Sequence, residues 1–262
     1  MRVTARSARR SERMSAILAS LTDAGSVHVG DLARRLGVSE ATLRRDLALL
    51  EEQRLLTRTH GGALAQDVAY ELPVRYRDGA HREAKRAIAR AALRSLPSGP
   101  HVVGLTGGTT TSEVARRLSD RGDLTIVTNA LNIAMDLVLR PRVKLIVVGG
   151  VSRPQSYELV GPWAEEVLGG INIGTAFVGV DGISVAGGLT THDEIEARTN
   201  RAMIRRAQRV VVVADGTKVG RATLARMADA GDVGELVTDA SADAAELAAL
   251  RGAGMTVTVA GA

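Results

Sequence analysis

Apolar residues recur at helical spacing in the first part of the chain and as short aliphatic runs later, and this change of period divides the chain in two. In the stretch DLARRLGVSEATLRRDLALLEEQRLLTRTHGGA, from Asp31 to Ala63, Leu32, Ala33 and Leu36 fall about one turn apart on a first helix, which Gly37-Val38 breaks. Ser39 has the chemistry to cap a second helix, whose Leu43, Leu47 and Leu50 recur at i, i+4 and i+7. That stripe requires a core, so Glu40, Thr42, Arg44 and Arg45 are turned outward at the start of the helix. Leu55–Thr59 has strand character and Gly61-Gly62 predicts the turn of a hairpin. The pattern is a helix-turn-helix with a wing over residues 1–66.

Pro73, Gly79 and mixed charge mark residues 67–81 as a linker. Helical spacing returns from Ala84 to Leu96, and after Pro97-Ser98-Gly99-Pro100 the period changes. Aliphatic runs at His101–Leu105, Leu124–Val127, Val143–Val148, Ala176–Val180, Val210–Ala214 and Glu235–Val237 predict strands. Helices are expected between them at Ser112–Leu118, Leu131–Leu139, Trp163–Leu168, Glu194–Arg206 and Ala242–Leu250. Near-continuous apolar strands separated by helices imply a mostly parallel sheet covered on both faces. The second unit, residues 82–262, is therefore expected to be an α/β domain.

Ligands of such sheets bind beyond the carboxyl ends of the strands. The first run ends in Thr106-Gly107-Gly108-Thr109-Thr110-Thr111, where two glycines admit an anion to the backbone and a helix follows. The Gly-Lys-Ser/Thr ending of a Walker A loop is missing. Other strand ends supply Asn129, Gly150, Arg153, Asp181, Asp215 and Lys218, and Gly187-Gly188-Leu189-Thr190-Thr191 precedes the helix that carries Glu196. Amide, carboxylate, hydroxyl and ammonium groups around a phosphate cradle suit a polyol phosphate. A plain turn and helix cap would use many of the same residues.

Charge sharpens the division. Residues 1–66 carry 11 Arg against 7 Asp or Glu, whereas the other 196 residues carry 23 Lys or Arg against 22 acids. Most of the net charge of +5 therefore lies on the unit shaped to read DNA. Aromatics are nearly absent, with one Phe, one Trp and three Tyr, so a base-stacking platform for single strands is lacking and duplex DNA is the better partner. With no cysteine, disulfides and thiolate metal sites are excluded; no metal or other cofactor is expected, and a reducing, cytoplasmic setting is. No run reaches the roughly 18 apolar residues of a membrane helix. The basic start MRVTARSARRSER lacks the apolar stretch of a secretory signal and reads as a leader, or as an arm on DNA phosphates.

The sequence LAxxLGVSEATLRRDL followed by R-T-HGGA resembles the DNA-binding domain of the DeoR family of bacterial transcription regulators, from about Arg13 to Ala65. The resemblance implies DNA-contacting roles for Ser39, Glu40, Thr42, Arg44 and Arg45 on the helix, and for Arg58, His60 and Gly61 on the wing. GGTTT, VTNA, VVGGVSR, AFVGVDGI, GGLTT and ADGTKVG resemble the same family's effector-sensing domain, from about Arg75 to Asp239. That domain is similar in fold to ribose-5-phosphate isomerase, glucosamine-6-phosphate deaminase and the CoA transferases. The implied effector residues are Gly107, Gly108, Thr109, Thr110, Thr111, Asn129, Gly150, Arg153, Asp181, Glu196, Asp215 and Lys218. Two positions depart from the family pattern: Thr106 stands where an acidic residue is frequent, and Asn200 where a lysine often follows the glutamate by four residues.

The resemblance implies a homo-oligomeric repressor of a carbohydrate operon, bound to double-stranded operator DNA and released by a phosphorylated sugar. The alternatives are a sugar-phosphate isomerase or deaminase with a DNA-binding head, and a constitutive architectural DNA protein. Isomerase chemistry needs a positioned base and acid, and Gly182-Ile183-Ser184 follows Asp181 where a second carboxylate would help.

Overall fold

A computed structural model of the chain describes residue 10 and residues 13–21, 24–53, 55–65, 73–77 and 81–261. The basic leader, apart from Arg10 and Arg13, and most of the linker expected over residues 67–81 lie outside the described residues. The chain forms two compact units, Met1–Ala80 and His81–Ala262.

In the first unit a helix over residues 13–21 (α1) is followed by strand β1 (Ser26–His28), α2 (Val29–Leu36) and α3 (Glu40–Glu52). Strands β2 (Thr57–Arg58) and β3 (Gly62–Leu64) and the short helix α4 (Val74–Arg77) complete it. Gly37 takes the left-handed conformation at the end of α2 (φ 63°), which costs glycine little. The Ser39 hydroxyl accepts the Thr42 N–H at 3.2 Å and so caps α3. Leu43, Leu47 and Leu50 are at most 1% exposed and pack with Ile17, Leu18, Leu21, Leu32, Leu55 and Leu56. Each such burial is worth about 1.5–3 kcal/mol, which holds the two helices of the motif against α1. Buried Asp46, on the inner side of α3, accepts Arg13 Nε at 2.6 Å and Arg10 Nε at 3.4 Å.

The wing differs from expectation in one respect. It is three-stranded, in the order β1-β3-β2, because Ser26–His28 pairs antiparallel with Gly62–Leu64. Neither Gly61 nor Gly62 has a positive φ. Close packing demands them instead: a Cβ on Gly62 would lie 1.8 Å from the Val27 carbonyl oxygen, and one on Gly61 would lie 2.9 Å from the His28 ring.

The second unit is built on a seven-stranded, all-parallel sheet: β4 (His101–Leu105), β5 (Leu124–Thr128), β6 (Lys144–Val147), β9 (Ile173–Val178), β12 (Ala207–Val213), β14 (Glu235–Asp239) and β15 (Thr256–Ala260). The strand order is β15-β14-β12-β9-β4-β5-β6. Helices α5 (Arg82–Ala92), α6 (Thr109–Leu118) and α7 (Leu131–Leu137) cover one face, over Val103, Leu105, Ile126, Phe177 and Val211. Helices α8 (Pro162–Gly169), α9 (Glu194–Arg206) and α10 (Ala244–Gly252) cover the other, over Val127, Ala176, Val178, Val212 and Leu236. From β4 the chain winds outward through β5 to β6, then crosses back to β9 and winds the other way. The winding reverses between β4 and β9, and that is the topological switch point where such sheets bind ligands.

Three additions were not anticipated, the first being the edge strand β15 of the main sheet. The hairpin β7–β8 (Val151–Arg153 and Glu158–Val160) and the small sheet β10-β11-β13 (Gly182–Ser184, Gly188–Thr191 and Ala225–Ala228) stand beyond the main strands. The expected α6 also begins three residues early, at Thr109 behind Gly108, so the three threonines form its first turn rather than a loop. Among the described residues no helix is long and apolar enough to cross a membrane.

Candidate DNA-reading helix and effector site

On α3, Glu40, Arg44 and Arg45 are exposed and Thr42 is half-buried, on the side away from the leucine stripe. Arg44 pairs with Glu40 one turn earlier, Nη2 to Oε2 at 2.7 Å. Among the described residues Arg45 makes no ion pair. Ser39 Oγ lies 2.9 Å from Thr42 Oγ1, so the cap also orients the threonine hydroxyl. On the wing, Arg58 donates its backbone N–H to Glu51 Oε1 at 2.9 Å, and its guanidinium lies 3.7 Å from Glu51 Oε2. His60 is exposed between β2 and β3, and Gly61 is half-buried. The helix start and the wing thus carry exposed arginine, hydroxyl and imidazole groups, which suit phosphates and base edges.

In the second unit, the switch point is closed by Thr106-Gly107-Gly108 after β4 and Gly179 after β9. Gly179 donates its N–H to Thr106 Oγ1 at 3.0 Å, and a Cβ on Gly179 would stand 2.7 Å from the Gly107 carbonyl oxygen. Gly108, at φ 119°, turns the chain into α6. The Thr111 and Ser112 hydroxyls donate back to the Gly108 carbonyl at 2.9 and 2.7 Å. Thr109 and Thr110 are buried in the first turn, where backbone N–H groups have no partner within the helix.

Two chains of polar contacts lie at this end of the sheet, and the first runs from this loop. In the first, Glu158 of β8 reaches between the strand ends. It accepts the Gly107 N–H at 2.5 Å, Asn129 Nδ2 at 3.3 Å and Asn200 Nδ2 at 3.1 Å. Asn129 also donates to Asn200 Oδ1 at 3.3 Å, while its own Oδ1 is buried without a partner. Burial, and then the neighbouring Glu196 charge, raise the Glu158 carboxyl well above the usual carboxylate range, against the opposing pull of its three N–H donors. The second chain is ionic. Arg153 reaches Glu196 at 3.0 Å and Asp193 at 3.2 Å. Thr191 Oγ1 lies 2.5 Å from Glu196 Oε1 and 3.2 Å from Asp181 Oδ2, and Lys218 Nζ lies 3.8 Å from Asp181 Oδ1.

The structure therefore gathers Gly107, Gly108, Thr109, Asn129, Arg153, Asp181, Glu196 and Lys218 at one end of the sheet. Gly150 and Asp215 serve the fold there. A Cβ on Gly150 would lie 2.8 Å from the Val160 carbonyl oxygen, so its glycine lets β8 pass. Asp215 caps the turn that carries Lys218 by accepting the Thr217 N–H at 3.2 Å. Glu158 and Asp193 escaped the sequence reading, and Thr191 was named there only within the Gly187–Thr191 run. Glu158 sits in the run Tyr157-Glu158-Leu159-Val160, and its one signal was a carboxylate in register with Val160, which is buried on the same side of a two-residue period. An open cleft at the opposite, amino-terminal edge of the strands is lined by His101, Asp123, Asn172 and Gln208, with no lysine or arginine to hold a phosphate.

Both units have counterparts among known proteins. Residues 13–68 match the DeoR-like helix-turn-helix domain, and residues 80–240 match the DeoR C-terminal sensor domain. A protein of Escherichia coli O157:H7 named for transcriptional repression of the aga operon is 37% identical over 254 residues, 96% of this chain and 94% of that protein. The glycerol-3-phosphate regulon repressor of Escherichia coli K12 is 32% identical over 232 residues, 88% of this chain and 92% of that protein. Among solved structures, ribose 5-phosphate isomerase A from Methanocaldococcus jannaschii is 18% identical, with a TM-score of 0.39 over 53% of this chain and 55% of that one. The full-length relatives are named as repressors rather than enzymes. With both its domains matched in order, the chain belongs to the DeoR family of DNA-binding transcriptional regulators.

Proposed function

We propose that this regulator represses a carbohydrate-catabolism operon and leaves its operator when a phosphorylated sugar occupies the sensor unit. The observation that carries the reading is the site at the switch point. There the first turn of α6 offers backbone N–H groups to an anion, and Arg153, Asp181, Glu196 and Lys218 stand close by to hold hydroxyls and charge. The name of one relative, a glycerol-3-phosphate regulon repressor, favours a polyol phosphate as the class of ligand.

In this reading Ser39, Glu40, Thr42, Arg44 and Arg45 of α3 face the major groove, while Arg58, His60 and Gly61 of the wing meet the backbone beside it. Gly107, Gly108 and Thr109–Thr111 receive the phosphate; Asn129, Arg153, Asp181, Glu196 and Lys218 read the polyol. The regulator is a homo-oligomer in the cytoplasm, where a two-fold pair of recognition helices meets half-sites about 34 Å apart. The test pairs a promoter fragment with a panel of phosphorylated sugars. The purified protein is expected to retard the fragment, and one sugar phosphate is expected both to release it and to raise the thermal midpoint. Equal affinity for random duplex, with no response to any sugar phosphate, would refute the reading.

A further inference from the structure

Glu158 makes an unusual set of contacts for a buried carboxylate. Each of its hydrogen bonds in the site is one that it accepts, from the Gly107 N–H, Asn129 Nδ2 and Asn200 Nδ2. It is 2% exposed, and among the described residues no ion pair to it is formed. Arg153, its register partner across the β7–β8 hairpin, is engaged by Glu196 and Asp193. Its backbone approach is also strained: Tyr157, the residue before it, holds φ at 60°, a region that a bulky side chain rarely adopts. Gly107 is shaped to this carboxylate, since a Cβ there would lie 2.4 Å from Glu158 Oε1. The glycine that the sequence assigned to an incoming phosphate is thus already receiving an anion from the chain itself.

We propose that Glu158 is a resident anion of the sensor, which an incoming phosphate displaces from the Gly107 N–H, and that Glu158 takes up a proton as it is displaced. The inference deepens the effector reading above and rests on it. Charge balance favours the coupling. Among the described residues, the ion-paired groups at this end of the sheet are Glu196 and Asp193 at the start of α9, Asp181 after β9, Arg153 of β7 and Lys218: three carboxylates against two cations, with Asp215 a fourth carboxylate, before Glu158 is counted. A dianion entering beside an ionised Glu158 would meet a net negative site, whereas a neutral Glu158 removes one charge and becomes a donor to the phosphate. The buried Asn129 Oδ1 offers the same proton a second acceptor. Burial and the Glu196 charge already raise the carboxyl in its resident place, so uptake of the proton on displacement is read at pH values above that titration.

Sulfate is the probe that isolates this effect, because its charge is constant from pH 5 to 9 while that of a phosphate ester changes near pH 6. Sulfate affinity of the full chain is read by thermal shift at fixed ionic strength over that range. In the wild type, affinity is expected to fall by up to about tenfold per pH unit above the Glu158 titration, as uptake of one proton requires. In Glu158→Gln it is expected to be flat, and tighter than wild type at the alkaline end. Calorimetry of the wild type above the Glu158 titration, in two buffers of different ionisation enthalpy, is expected to register uptake of about one proton per sulfate, and needs no variant to fold. Equal, pH-independent sulfate affinity in both proteins, or no proton uptake, overturns the role of Glu158 and leaves the phosphate-loop reading standing. No sulfate binding by either protein at any pH overturns both.

Discussion

Arg44 and Arg45 are adjacent in sequence and alike in exposure, but they are not equivalent. Arg44 is held by Glu40 at 2.7 Å, in a pair whose side chains are 58% and 51% exposed, and such a pair is worth at most about 1 kcal/mol. That is enough to orient Arg44 and to offset part of its charge toward a phosphate. Arg45 carries its charge into solvent with no carboxylate against it among the described residues. Arg45→Ala is therefore expected to weaken operator binding by about 1–3 kcal/mol. Arg44→Ala is expected to cost a similar amount, because the loss of the cation also leaves the Glu40 carboxylate unneutralised beside the DNA. Salt titration then sorts the contacts: if Arg45 meets a phosphate, its removal lowers the slope of log K against log salt by about one; if it reads a base, sequence preference relaxes and the slope stays. Unchanged affinity in both variants would remove α3 from the interface. At this same scale the sequence was least legible at Glu158, whose role depends on β8 being carried over the ends of β4 and β5 by a hairpin that no local pattern announces.

Elements were legible where burial imposes a period. The stripe of Leu43, Leu47 and Leu50 requires one helix face, and the aliphatic runs at His101–Leu105 and Leu124–Thr128 require a strand buried on both sides. The missed elements are those whose partners are distant or whose residues are small. β1 is held by Gly62–Leu64 of the wing, and β10 and β11 are rich in glycine, serine and threonine and short of apolar side chains. The wing glycines show how a correct residue was first given the wrong reason. Their value lies in the approach of β3 to β1, with His28 paired to Gly62, rather than in a left-handed turn. Gly62→Ala puts a carbon against the Val27 carbonyl, so β1 must separate from β3. Overpacking of this kind costs about 1–3 kcal/mol, and the variant is expected to lose that much in urea denaturation and to bind operator more weakly. Gly231→Ala, where nothing lies within 4 Å and φ is ordinary, is the matched control and is expected to be nearly neutral. Equal stability of the two variants would mean that β1 and β3 do not pair as described.

A regulator of this kind must convert a small difference in binding into a large difference in occupancy. To turn a 99:1 equilibrium around, an effector has to favour the released state by about 5.5 kcal/mol, more than a single surface contact supplies. The sensor concentrates its candidate contacts at one end of one sheet, while the excess positive charge lies on the other unit. The two tasks are therefore separable by mutation. Lys218, on a turn capped by Asp215 and 3.8 Å from Asp181, is half-buried and far in sequence from α3. Lys218→Glu sets a second carboxylate against Asp181 and turns a cation that would meet a phosphate into an anion. Operator affinity without sugar phosphate is expected to match wild type, because α3 and the wing are untouched. Release by the sugar phosphate that frees the wild type is expected to need at least about a hundredfold more ligand, as loss of a charge-assisted contact worth about 3 kcal/mol requires. Gel retardation over a ligand titration measures both quantities on one sample. If Lys218→Glu releases DNA at the wild-type concentration, the phosphate does not approach Lys218, and the effector is held by another part of the sensor.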